Sequence, residues 1–140
     1  MKVIHAFPPN YEEICKVFPI AGIKTIVFTY GDILYRPGRS GAVPGHLKTH
    51  ERTHEKQQGN DPAGWWAKYL VDKDFRLSQE VEAYRRQYRY FISTNHNIKE
   101  QVNFLDRISD DLSSEIYGNM VTKEEAKKKV LHLFEQVKLP

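Results

Sequence analysis

The sequence predicts a single α+β domain, with a small β-sheet near the N-terminus and a mainly helical remainder. Three observations carry this. The segments that read as strands, rich in β-branched and aromatic residues, lie before residue 36. A turn-rich stretch at 37–45, PGRSGAVPG, separates them from the rest. Beyond it, capping signals and apolar residues at helical spacing recur to the C-terminus. A length of 140 residues fits one domain with a real core. It divides into 1–45 for strands and loop, 46–91 for a first group of helices and 97–138 for a second.

Taken in order, Val3–Phe7 reads as a short strand stopped by Pro8-Pro9. Asn10, with Glu13 three residues on, marks an N-cap for a helix through about Phe18. Lys24–Tyr30, KTIVFTY, is the strongest strand, and DILY continues or pairs with it before Pro37-Gly38. His46 to about Gln58 is helical and closed by Gly59. Asp61-Pro62 is an N-cap with proline at the first helical position, opening a helix through about Leu70. Ser78 caps a helix to about Phe91. Asn97 with Glu100 opens another, its apolar side made of Ile98, Val102, Leu105, Ile108, Leu112 and Ile116, ended by Gly118-Asn119. Thr122 with Glu125 forms a capping box for the last helix, with Ala126, Val130, Leu133, Phe134 and Val137 inward.

Composition excludes several classes. Hydrophobic content of 40% and charged content of 28% are those of an ordinary globular chain. The single cysteine, Cys15, cannot form an internal disulfide. The N-terminal MKVIHAFPPNYEE lacks the apolar run and cleavage site of a secretory signal, and no apolar stretch is long enough to span a membrane. The net charge of +3 comes from cations interleaved with acids, so it permits nucleic-acid contacts without arguing for them; a nucleic-acid-binding helical domain, resting on that charge and on Arg85, Arg86 and Arg89, is the least favoured reading.

One five-residue segment carries chemistry. His50-Glu51-Arg52-Thr53-His54 has the His-Glu-x-x-His spacing. With 6 histidines and 11 glutamates in the chain, chance produces such a match with odds of roughly 2%. On a helix, His50 and His54 stand one turn apart, about 6 Å, on one face, and can both ligate one Zn²⁺ ion. Glu51 sits about 100° round the helix, beside the metal without facing it, where a general base belongs. The helix HLKTHERTHEKQQ has almost no apolar face beyond Leu47, so a metal explains why it folds at all. His46 stands one turn ahead of His50, too far for one ion to take all three histidines, and falls at the cleft rim or the helix start.

The third ligand lies downstream, at Glu80 or Glu82. Glu80 shares its helical stripe with Tyr84, Tyr88 and Phe91, the apolar side. Glu82 shares its stripe with Arg85, Arg86 and Arg89, where it forms ordinary ion pairs in solvent. An inward carboxylate without a cation beside it needs a partner, which favours Glu80. Tyr84, Tyr88 and His46, in that order, are candidates to donate to an oxyanion. Trp65 and Trp66 read as core, one of them lining a pocket.

His50-Glu51-x-x-His54 followed 25 residues later by Glu80-Val-Glu-Ala-Tyr resembles the gluzincin class of zinc metallopeptidases. HERTHEKQQG…WWAKYLVDKDFRLSQEVEAYRRQY is more narrowly similar to small metallopeptidases encoded by tailed phages. The resemblance covers roughly residues 45–91. It implies a minimal zincin-like domain, a glutamate as third zinc ligand, peptide or protein substrates, and a setting in the host cytoplasm or the phage particle. It also implies an edge strand above the metal helix that binds an extended peptide, for which GDILY is the candidate through Ile33, Leu34 and Tyr35, although the same residues also suit a core strand. Tyr84 stands where many gluzincins have an aspartate that orients a zinc histidine, so those orienting contacts must be built differently here. A second expectation keeps the zinc without catalysis, as a structural component contacting other phage proteins.

Overall fold

A computed structural model describes the backbone of every residue except Arg39 and 138–140, and side chains through His132. The inward placement expected for Leu133, Phe134 and Val137 lies outside the described residues. The architecture is α+β. The chain runs β1 (Lys2–Ile4), α1 (Tyr11–Val17), β2 (Phe28–Tyr30), β3 (Ile33–Tyr35), α2 (Gly45–Gln58), α3 (Pro62–Val71), α4 (Lys73–Thr94), α5 (Ile98–Leu112), a 3₁₀ turn (Glu115–Tyr117) and α6 (Lys123–Val137). No described helix is long and apolar enough to cross a membrane.

The sheet order is β1-β3-β2, parallel between β1 and β3 and antiparallel between β3 and β2. Gly31 makes the β2–β3 hairpin possible, because its φ of 63° is a conformation other residues adopt only at a cost. Only three residues of the expected strand 24–30 pair. Phe28 faces Tyr35, and the ladder ends there because Pro37 has no N–H and the Arg36 amide donates to Ile4 instead. The topology overturns the edge placement of Ile33, Leu34 and Tyr35. β3 is the central strand, paired on both sides, and Leu34 is fully buried, so it offers no edge to a peptide.

Several helix ends differ from the sequence expectation. Asn10 stands at the N-cap of α1 but makes no capping bond, its φ and ψ of −102° and 23° being outside the extended region a cap uses. α4 starts five residues before Ser78, because the Asp72 carboxylate accepts the Phe75 amide at 3.0 Å. Ser78 instead donates to the Phe75 carbonyl. In α5, Ile98 and Val102 are 71% and 60% exposed, and burial begins at Phe104. Ile116 belongs to the 3₁₀ turn, and Gly118 and Asn119 both take positive φ after it. The caps at Asp61, Asn97 and Thr122–Glu125 form as the sequence indicates.

Two apolar clusters make the core. Ile14, Phe18, Ile20, Phe28, Trp65, Trp66 and Tyr69 join α1, the sheet and α3. Tyr84, Tyr88, Phe104, Ile108, Leu112 and Val130 join α4, α5 and α6. Tyr117 packs against both. Arg76 fixes it there, donating to the carbonyls of Tyr117 and Tyr69 at 2.9 and 2.7 Å.

Candidate metal centre

Every buried residue of α2 is polar: His50, Glu51, Thr53, His54 and Gln58. A helix that buries only polar groups is held by what those groups bond to, since each unpaired one costs about 1–3 kcal/mol. Gln58 ties α2 to the sheet, donating to the Thr29 carbonyl at 2.8 Å and accepting the Gly31 amide at 2.7 Å. The histidines turn the other way, toward α4.

There they meet Glu80. His50 Nε2 and His54 Nε2 are 3.1 Å apart, and Glu80 Oε1 is 3.3 Å from each. All three residues are buried, with 3–6% of their surface exposed. Neighbouring donors around a tetrahedral ion held at 2.0–2.1 Å are separated by about 3.3–3.4 Å, close to this triangle. Glu80 Oε1 is fully buried and makes no hydrogen bond of regular geometry, its neighbours being the two Nε2 atoms with which it closes the triangle. The donor set fits a metal ion.

The outer nitrogens of the histidines explain why the inner ones converge. Gln57 Nε2 donates to the Gln79 carbonyl and to Glu82 Oε1, at 3.0 and 2.8 Å. Its Oε1 is therefore turned to His54 Nδ1, 2.8 Å away, and being only an acceptor it places the proton on Nδ1. Gln87 does the same for His50, with Oε1 2.9 Å from Nδ1 and its amide donating to His46 Nδ1 at 2.9 Å. In the neutral imidazoles both Nε2 atoms then carry the lone pairs, aimed at the same point. Tyr69 donates to Glu80 Oε2 at 2.6 Å, leaving Oε1 as the oxygen aimed at the histidines. The Tyr84 ring packs on His50 at 4.4 Å. Glutamines and a tyrosine thus orient the three donors.

The electrostatics follow the geometry. Burial opposes charge on His54, but the Glu80 carboxylate outweighs it and raises the imidazole to about 9. Burial pushes the Glu80 carboxyl up, while His54 and His50 outweigh that and hold it well below the usual range. Burial, reinforced by the Glu80 charge, pushes the phenols of Tyr69, Tyr84 and Tyr117 up, so all three remain protonated donors. Burial first, then Arg107 and His50, lower His46, which stays a neutral acceptor.

Glu51 lies in the same cavity, of about 60 Å³, with the triad, Trp65, Trp66 and Tyr117. That is room for one or two waters. Thr29 donates to Glu51 Oε2 at 2.6 Å. A larger cleft of about 410 Å³ reaches His50 and Glu51 from outside, walled by Ile23, Thr25, Ile26, Val27, Tyr84, Gln87 and Tyr117. His46 lies further along, half-buried, in a cavity of about 400 Å³ with Arg36 and Arg107. Tyr88 is in the α4–α5–α6 core. Glu82 is exposed and 3.9 Å from Arg86, and through Gln57 it also supports His54. Both tryptophans are core residues that line the cavity, and their indoles donate to Gln79 and to the Thr29 carbonyl. Sequence reasoning missed Gln57, Gln87, Tyr69 and Tyr117. Gln57 and Gln87 were findable as polar residues on the metal-facing sides of their helices; Tyr117 carried no sequence signal.

No known protein family, curated protein or solved structure matches this chain.

Proposed function

We propose that the chain is a zinc-dependent peptide hydrolase. The observation that supports this best is the Glu51 carboxylate, buried in the water-sized cavity that holds the three donor atoms. A purely structural metal site is closed by four protein ligands, whereas three ligands beside a cavity leave a position open. Bound by His50, His54 and Glu80, zinc would supply Lewis acidity and lower the pKa of water from 15.7 towards ~7.

The residues of the chain do the rest. Thr29 fixes one oxygen of Glu51, so the carboxylate keeps its orientation while the other oxygen takes a proton from the attacking water and returns it to the departing amine. Tyr84 and Tyr117 share a 2.7 Å hydrogen bond between their hydroxyls at the wall of the larger cleft, and supply the donor for a developing oxyanion. Backbone groups of the irregular segment 25–27 make no described hydrogen bond, and this segment, in place of β3, lies along the cleft where an extended peptide enters.

The test is Glu51→Gln, which keeps an acceptor for Thr29. Zinc content near one per chain with hydrolysis of a peptide library abolished is the expected result. A variant that cleaves as fast as the parent, or a zinc-loaded parent that cleaves nothing, overturns the reading.

A further inference from the structure

The α2–α4 pair has a second face. A groove of about 680 Å³ runs between the helices and shares no lining residue with the metal cavity. α2 contributes Arg52 and Lys56, and α4 contributes Arg85, Arg86 and Arg89, against a single carboxylate, Glu82. Five cations and one anion give the groove a net charge of +4, while the whole chain carries +3, so the remaining surface is slightly acidic. Like charges brought together this way repel, and a fold keeps them at the expense of stability unless something neutralises them. Arg52, Lys56 and Arg89 are exposed and have no partner among the described residues. The Glu82 charge is divided between Arg86 and Gln57.

The charges are spaced regularly. Arg52 and Lys56, and likewise Arg85 and Arg89, stand one helical turn apart, about 6 Å, in two facing rows. At the end of the groove is Tyr90, an aromatic ring with 40% of its surface exposed. It lies over the start of α2, where a side chain at Gly45 would collide with its hydroxyl.

We infer that this groove binds single-stranded nucleic acid, its rows of cations following the sugar–phosphate backbone and Tyr90 stacking on a base. Cations alone would accept any polyanion. The exposed ring beside them selects a chain that carries bases, and stacking tolerates any base sequence. The inference does not depend on the hydrolase reading, since the groove and the cleft have no residue in common.

The experiment is fluorescence anisotropy of the full-length, zinc-loaded protein with a labelled single strand of about 20 nucleotides, beside the same sequence as duplex and a labelled polyglutamate. Single-strand affinity is expected to fall with salt, log K against log[salt] having a slope of about −3 for four neutralised phosphates. Arg52→Glu with Lys56→Glu should weaken binding at least about tenfold and flatten the slope by about 1.4. Tyr90→Ala should weaken single-strand binding by roughly fivefold or more and leave duplex binding unchanged. Melting temperature and zinc content verify that each variant is folded. Absence of single-strand binding at roughly 50 mM salt, indifference to the Arg52/Lys56 change, or equal binding of polyglutamate overturns the proposal. An unchanged Tyr90→Ala overturns it as well.

Discussion

In the metal-free protein, His54 Nε2 lies 3.3 Å from Glu80 Oε1 in a buried ion pair, which the zinc proposed above would have to break. His54 is raised to about 9 by the Glu80 carboxylate. At pH 7 it is two units below that value and about 99% protonated. The metal accepts only the neutral imidazole, so binding at pH 7 expels about one proton from His54 and is about 100-fold weaker than at its plateau. Apparent affinity should therefore rise nearly tenfold between about pH 7 and 8 and about 25-fold between about pH 7 and 8.5. Glu80→Gln removes the charge that raises His54. Burial, the largest single contribution, is then opposed only by Glu51 and Gln57, so the imidazole falls and much less of it is protonated at pH 7. Calorimetric titration with zinc in two buffers of different ionisation enthalpy counts the protons. The wild type should release about one more than Glu80→Gln, a difference that cancels any proton lost from coordinated water. Equal release by the two proteins, or a wild-type affinity flat over this range, refutes the pairing.

Two further outcomes follow from the same contacts. Gln57→Leu removes the acceptor that orients His54 Nδ1 and should weaken zinc binding by about 10–100-fold in competition with a chromophoric chelator; unchanged affinity would mean that the α2–α4 packing alone sets the ring. Leu112→Ala, at a fully buried position of the α4–α5–α6 core, should cost about 2–5 kcal/mol in chemical denaturation and leave zinc stoichiometry unchanged.

How legible the protein was varied with the range of the interactions involved. The capping residues Asp61, Asn97 and Thr122 act within one turn, so the sequence displayed them directly. Asn10 and Ser78 have the same chemistry, but backbone geometry in one case and the competing Asp72 in the other decided against them. The pairing of His50 with His54 is also local, being fixed by the helical repeat. Glu80 was separated from Glu82 by which side of α4 is apolar, and the structure brings Glu80 to the histidines and leaves Glu82 exposed.

What sequence alone determined was thus the α+β class, the helix with almost no apolar face, the two histidines one turn apart, and the place of Glu80 on the apolar side of its own helix. Each of these side-chain placements follows from the period of one element. Tertiary structure decided the rest, because it depends on which elements lie side by side. It put β3 in the middle of the sheet and so took the edge away from Ile33, Leu34 and Tyr35. It brought Gln87 to His50, Tyr69 to Glu80 and Tyr117 to the cavity from three separate places in the chain, whereas Gln57 stands one turn from His54 on α2 itself. It also set Arg52 and Lys56 opposite Arg85, Arg86 and Arg89, turning charges that look balanced along the sequence into a groove of one sign. A charge interleaved with acids along a helix can still face only cations across one, since neighbours in sequence point in different directions.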